Sequence, residues 1–348
     1  MLRLRARLEQ GLRRLWARPP APGVRLCLAP FARLVAARAR RRRAGVRRAV
    51  RPPCSVLVVG NLTVGGSGKT PVVVWAAERV RDRGGRVAVA VRSYRGRTRV
   101  PVRVEAESDP RLAGDEALLL ARRLPGVAVA AAPDRTEAVR FLAETFSPAL
   151  VLVDDGLQHP SLARDRVWLC VDGAYGLGNG RVLPLGPLRE PGDAEVFAPK
   201  TRVLLKEDPT GVRGGLQPPG PVRPFRLVAR EAVRLADGAR RPLAAFRGAG
   251  LLAYAGIARP ESFFALLRAV DLAPVVRSGA HHENPPLRVL LRHTAEAIMM
   301  TEKDAVKIAS GGNDPRLWYV PVEARFDPGD ARVLEADLET LVRDGAPT

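Results

Sequence analysis

Lysine is nearly missing from this chain of 348 residues: five of its 57 basic side chains are lysine, at positions 69, 200, 206, 303 and 307, and the others are arginine. Much of the net charge of +21 therefore reads as a compositional preference for arginine. A field of that sign still favours anionic partners such as phosphates, acidic membrane surfaces or nucleic acid. Cysteine is scarce too. Cys27, Cys54 and Cys170 have neither disulfide-framework nor metal-ligand spacing, which excludes a cystine-stapled fold and fits a reducing compartment. The four histidines include the pair His281-His282, but neither that pair nor the acidic run 301–307 has the spacing of a structural zinc site. Aromatic residues make up 5%, which argues against a nucleic-acid binder built on stacking platforms. Nothing reads as a secretory signal with a small-residue cleavage site. The most apolar stretch near the start, 26–37, is about 12 residues long where a bilayer span needs about 20, and Pro30 and Arg33 interrupt it.

What is present falls into three parts. Residues 1–50 are dense in arginine, with Arg40 to Arg43 unbroken. Basic flanks around Leu15, Trp16, Leu28 and Phe31 predict an amphipathic helix in a membrane interface; the plainer alternative is a solvated basic helix packed on the body. Residues 51–225 alternate apolar runs, at 55–59, 87–91, 127–130, 150–153, 167–171 and 203–205, with helical patterns at 72–83, 115–123 and 134–146. Val/Leu-rich runs with helical spacers predict an α/β domain whose mostly parallel sheet is buried by flanking helices. The Pro/Gly-rich residues 207–225 predict a linker. Residues 226–348 are then expected to form a smaller C-terminal α/β domain, with strands at 251–255, 297–300 and 317–322 and a helix over 259–268 opened by Pro260.

The chemistry concentrates in a few motifs. Gly60-Asn-Leu-Thr-Val-Gly-Gly-Ser-Gly-Lys-Thr-Pro71 follows a predicted strand and precedes a predicted helix, the layout of a nucleotide phosphate cradle. Glycines let backbone N–H groups turn toward phosphate oxygens, the helix N-terminus adds its positive dipole end, Lys69 reaches the outer phosphates, and the Thr70 hydroxyl is suited to Mg²⁺. The strict pattern has glycine where this chain has Thr63. Residues Thr63, Gly65, Gly66, Ser67, Gly68, Lys69 and Thr70 are the expected nucleotide site. A second strand runs into Asp154-Asp155-Gly-Leu-Gln158-His159, presenting carboxylates at the sheet edge that faces phosphates and metal; Mg²⁺ needs only one or two of them beside phosphate and water. Asp154, Asp155, Gln158, His159 and Thr70 are the candidate metal cluster. Asp115, after Gly114, either caps the following helix or serves as the base that deprotonates an attacking hydroxyl. Arg189-Glu190 ends a long Gly/Pro-rich loop, the composition in which binding residues often sit. On these residues alone, an NTPase acting on nucleic acid and a metabolic ligase or metal-insertion GTPase stand as rivals to a kinase.

Taken in order, the glycine loop, Gly114-Asp115-Glu116, Asp154 to His159, Gly178-Asn-Gly180, Leu183 to Pro191 and Thr301-Glu-Lys-Asp-Ala-Val-Lys307 resemble the tetraacyldisaccharide 4′-kinase family over about residues 10 to 325. The resemblance implies a P-loop kinase fold with a smaller C-terminal domain. It also implies ATP-dependent phosphorylation of the 4′-hydroxyl of a tetraacylated disaccharide 1-phosphate to lipid IVA, with Mg²⁺. The enzyme is expected as a monomer without nucleic acid, held by its N-terminal helix on the cytoplasmic face of the bacterial inner membrane. Carried over by position, Lys69 and Thr70 serve the phosphates and Mg²⁺, Asp115 is the catalytic base, and His281 assists it from the second domain. Asp154, Asp155, Gln158 and His159 form the metal and phosphate cluster, with Arg189 and Glu190 beside it. Two departures stand out: Ala280 replaces the family's Asp before that His, and its Ser-Arg-Gly-Tyr-Gly-Gly loop reads Val91-Arg-Ser-Tyr-Arg-Gly96 here.

Overall fold

Apolar runs too rich in valine and leucine to face water on either side settle into a sheet covered on both faces. The computed structural model describes residues 16, 18–46, 49, 51–93, 96–159, 161–193, 195–209, 214–279, 284–308 and 312–345. In chain order come α1 (Pro22–Val46), β1 (Ser55–Gly60), α2 (Lys69–Asp82), β2 (Val87–Arg92), β3 (Val102–Val104), α3 (Pro110–Ala113), α4 (Asp115–Arg123), β4 (Ala128–Ala132), α5 (Arg135–Phe146), β5 (Leu150–Asp154), β6 (Arg166–Asp172), β7 (Thr201–Lys206) and β8 (Val222–Val228). There follow β9 (Glu231–Arg234), β10 (Arg240–Pro242), β11 (Leu251–Ala255), α6 (Pro260–Arg268), β12 (Val275–Ser278), α7 (Leu287–Leu291), β13 (Ala297–Thr301), α8 (Glu302–Ala305), β14 (Leu317–Val320), β15 (Glu323–Phe326) and α9 (Pro328–Asp344).

The large sheet has the order β15-β8-β7-β6-β1-β5-β2-β4-β3, and the small one β10-β9-β14-β13-β11-β12. From β8 through β4 the large sheet is parallel, with β15 and β3 antiparallel at its edges. Side chains alternate between its faces. Leu57, Val59, Val89 and Leu152 pack against α2, α4 and α9, while Val56, Val58, Ala90 and Val153 pack against α5. The small sheet is covered likewise, by Phe263, Phe264 and Leu267 of α6 on one side and Leu290 of α7 on the other.

The division of the chain differs from the expected one. Strand β8 crosses the anticipated boundary at 225/226 and pairs in parallel with β7, and β15 returns to pair with it antiparallel. Helix α9 then buries Leu334, Leu338 and Leu341 under the large sheet, each worth about 1.5–3 kcal/mol of transfer from water. The reason is aromatic. Phe326 stacks 4.9 Å from Trp75 and 5.3 Å from Phe225, so the last strand completes a core begun 250 residues earlier.

Helix α1 is continuous through Pro30. It turns Ala32 and Ala39 inward and leaves Leu26, Phe31 and Leu34 exposed at 79%, 60% and 68%. Among the described residues no helix is long and apolar enough to cross a membrane.

Candidate functional site

Strand register builds the site. Val59 of β1 is paired with Asp154 of β5, so the loop leaving β1 arrives beside the carboxylates leaving β5. Asn61 shapes that loop from within: its Nδ2 donates to Thr63 O at 2.8 Å and Gly65 O at 3.3 Å. Gly68 holds φ near 80°, a left-handed conformation that glycine adopts without strain, and α2 begins at Lys69. From outside, the 178–190 loop lies along the phosphate loop. Val64 N donates to Pro187 O, Arg189 N to Leu62 O, and Thr63 is bridged to Leu188. That pairing is what delivers Arg189 to the cleft.

The cleft holds about 500 Å³ between the two sheets. Gly65 to Thr70 line it, as do Asp154, Asp155 and Arg189. Across from them stand Ile257, Arg259, Ser262 and Phe263 at the start of α6, and Glu302 and Lys303 of α8. Eight basic and four acidic side chains are among the described residues lining it, an electrostatic surface suited to a polyphosphate.

The two adjacent carboxylates have opposite environments. Asp155 faces Lys69 Nζ at 3.3 Å, Arg189 Nη1 at 3.1 Å and Arg135 Nη2 at 3.8 Å. Burial opposes its ionisation, but these three cations prevail and hold its carboxyl down at about 2. Asp154 is fully buried. Burial, with Glu116 and Asp155 nearby, pushes its carboxyl up to about 7 despite Lys69. Its Oδ2 accepts from Thr70 Oγ1 at 3.3 Å, and its Oδ1 is buried with no hydrogen-bond partner among the described residues. A hydroxyl and an unsatisfied carboxylate oxygen, both hard donors, fit Mg²⁺ completed by phosphate and water. Among the described residues no cluster of three or more His, Cys, Asp or Glu is arranged around a metal, so this pair is the candidate.

Gln158 and His159, expected in the metal cluster, have protein partners in this structure. Gln158 Nε2 donates to Asn61 O and Glu190 Oε1, both at 2.9 Å, and its Oε1 lies 3.4 Å from Arg189 Nη1, so it braces the loop and Arg189 together. His159 Nε2 lies 3.2 Å from Asp134, whose carboxylate caps α5 through Thr136 N at 2.7 Å. Burial lowers the His159 pKa against the opposing pull of Asp134. Thr63 is buried and taken up by its bridge to Leu188, whereas the other nucleotide candidates line the cleft.

Asp115 opens α4 after Gly114, one residue before Glu116. Glu116 lines the cleft and pairs with Lys303 Nζ at 2.5 Å. The nearby charges of Glu116, Asp154 and Asp115 outweigh burial and raise the Lys303 pKa. Glu190, 3% exposed, accepts from Arg43 Nε at 2.9 Å, and Arg43 Nη2 donates to Pro191 O at 2.7 Å. The last turn of α1 is thereby fastened to the loop that carries Arg189. The predicted site residue His281 lies outside the described residues.

Sequence reading missed Arg135, Lys206 and Arg259, all in the cleft. Arg135 follows the cap residue of α5 at the carboxyl edge of the sheet, and its Nε donates to Asp154 O at 3.0 Å. An arginine directly after a strand-to-cap junction is the signal that was there to find.

A strand, a phosphate loop and a helix, facing a buried carboxylate beside the loop's threonine and charged side chains at the helix starts of a second sheet, define a phosphoryl-transfer enzyme of the P-loop class. Comparison with known proteins sharpens the class. The model of the family described as tetraacyldisaccharide-1-P 4′-kinase matches residues 24–343, and the chain belongs to that family. Tetraacyldisaccharide 4′-kinase of Pseudomonas fluorescens is 39% identical over 90% of this chain and 91% of its own length. The Aeromonas hydrophila protein of the same name is 42% identical over 96% and 97%. A crystal structure of LpxK from Aquifex aeolicus in complex with ATP superposes with a TM-score of 0.72 at 24% identity, covering 93% of this chain and 99% of that one; it bears on the fold.

Proposed function

We propose that the chain transfers the γ-phosphate of ATP to the 4′-hydroxyl of a tetraacyldisaccharide 1-phosphate, forming lipid IVA in lipid A biosynthesis. One observation carries the reading: in a member of this kinase family, the Lys69-Thr70 loop opens onto the unsatisfied Asp154 carboxylate within a cationic cleft. Backbone N–H groups of Gly65 to Lys69 cradle the phosphates, and Lys69 spans Asp155 and the outermost one. Thr70 and Asp154 would hold Mg²⁺, which when bound would supply positive charge against the negative charge developing on the transferred phosphoryl group. Asp155 keeps Lys69, Arg135 and Arg189 aimed at the transferring group. Asp115 takes the hydroxyl proton late in a loose transition state, where a weak base suffices. His281 assists it.

The acceptor is a lipid, so the site works at a surface. The exposed Leu26, Phe31 and Leu34 with the arginines of α1 suit a helix lying in the interface of the inner membrane's cytoplasmic face, its apolar residues in the acyl boundary and its arginines on anionic headgroups. The enzyme works there as a monomer. The decisive experiment is incubation with ATP, Mg²⁺ and the disaccharide 1-phosphate in mixed micelles. One phosphate added to the 4′ position, read by mass and fragmentation, is expected. ATP turnover without lipid phosphorylation would overturn the reading.

A further inference from the structure

Lys206 stands at the carboxyl end of β7, 5% exposed, and none of the roles above uses it. Its Nζ lies 2.6 Å from Asp172 Oδ2, on the residue paired with it at the end of β6, and 3.5 Å from Gly66 O in the phosphate loop. Its stem packs against the bare face of Gly68, where an added Cβ would come within 3.2 Å of Lys206 Cδ. The second oxygen of Asp172 is taken by Arg259 Nη1 at 2.6 Å, and Arg259 Nη2 reaches the fully buried Asp208 side chain at 3.1 Å. Arg259 is the residue immediately before α6 of the small sheet.

A phosphate loop works by turning its N–H groups inward, so its carbonyls must turn outward and find partners there. Lysine is a suitable partner for the Gly66 carbonyl: a compact ammonium with several donors serves a carboxylate and a carbonyl at once, on a stem that passes over Gly68. Asp172 keeps the ammonium in place, and Arg259 keeps Asp172 in place. We propose that Lys206 is a positioning residue for the phosphate loop, held to its task by Asp172 and, from the small sheet, by Arg259. The chain Gly66–Lys206–Asp172–Arg259 thus makes the cradle for the β- and γ-phosphates depend on the wall opposite. This rests on the reading of the cleft as an ATP site.

The test compares ATP with AMP, which lacks the two phosphates the loop would cradle, by titration calorimetry on the full chain. Lys206→Met keeps the stem and removes the charge. ATP affinity is expected to fall about 10-fold or more while AMP affinity stays within about twofold. Arg259→Gln leaves the Lys206–Asp172 pair intact and is expected to give a smaller loss in the same direction, again specific to ATP. Unchanged ATP affinity in both variants would overturn the proposal. So would equal weakening of ATP and AMP, since that reports a collapsed cleft and a merely structural ion chain. Failure of the unmodified protein to bind ATP would overturn the reading of the cleft itself, and is told apart because no variant is needed to see it.

Discussion

Arg43→Met cuts the fastening between α1 and the site, and its cost follows from the local geometry. Arg43 donates to Glu190 Oε2 at 2.9 Å and Pro191 O at 2.7 Å, and it also pairs with Asp193. Its side chain is 10% exposed and that of Glu190 4%, so water reaches neither group well enough to replace the other. Breaking a buried pair by removing one partner costs about 3–5 kcal/mol. Glu190 retains Gln158 Nε2 at 2.9 Å, which reduces the expected loss to about 2–4 kcal/mol. In a protein of this size that lowers the thermal midpoint by about 4–10 °C. The assay is a double-mutant cycle by denaturant unfolding in detergent, using Arg43→Met, Glu190→Gln and the pair. Glu190→Gln removes the charge that Arg43 serves, so the double variant should recover much of the loss, with a coupling of about 2 kcal/mol. A coupling below about 0.5 kcal/mol would refute the reasoning: the helix would then be a tether hung on the outside of the kinase.

Asp154→Asn should abolish turnover and Mg²⁺-dependent ATP binding. In EDTA it should also raise the thermal midpoint, because an amide replaces a carboxylate whose charged form burial disfavours; a lowered midpoint counts against that account. Asp115→Asn is expected to cut kcat by about 100-fold or more with ATP affinity within twofold. If calorimetry shows unfolding instead, Asp115 is a helix-opening residue and no base. Replacing Leu26, Phe31 and Leu34 together by serine removes roughly 3 kcal/mol of interfacial burial, or about 100-fold in partition onto anionic vesicles. Unchanged partition in a flotation assay would place the membrane contact elsewhere.

The elements were legible wherever a local pattern decides them. The apolar runs of β1, β2 and β5 to β7 read as buried parallel strands because nothing polar interrupts their centres, and α4 and α5 were legible from the helical patterns at 115–123 and 134–146. Strand partnership was not legible, because it depends on contacts far apart in sequence. Val222–Val228 hides a strand behind Pro224 in a Pro/Gly-rich stretch, and only the packing of Phe225 and Phe326 with Trp75 explains why β15 and α9 rejoin the large sheet. β12 lies on an edge with all four residues exposed, so it shows no apolar alternation. The site divides in the same way. Thr70 and Asp154, which the structure brings within 3.3 Å of each other, could be singled out because a loop and a strand end each carry their own signature. Gln158 and His159 were expected in the metal cluster from their place in the sequence, and their partners Glu190 and Asp134, distant in sequence, could not be read there.

Lysine usage is the signal in the sequence that connects these points. A chain that writes nearly every cation as arginine keeps five lysines, and three of them, Lys69, Lys206 and Lys303, line one cleft. A fourth, Lys307, is buried against Asp304 at 3.0 Å, while Lys200 is exposed. Composition alone would scatter so few residues over the surface, so their clustering reports a steric demand. Arginine brings a planar fork suited to two parallel contacts with a carboxylate; lysine brings a small charge able to sit between dissimilar acceptors. Lys69 serves Asp155 and the place of a phosphate, Lys206 serves Asp172 and a loop carbonyl, and Lys303 serves Glu116 beside the Asp115 that opens α4. Arginine enters the same cleft where the reach is longer: Arg135 joins the Asp154 carbonyl to Asp155, and Arg259 joins Asp172 to Asp208. Both cations bridge unlike acceptors here, and what sets the lysines apart is that a compact ammonium is kept at three places in one cleft against the drift of the whole composition.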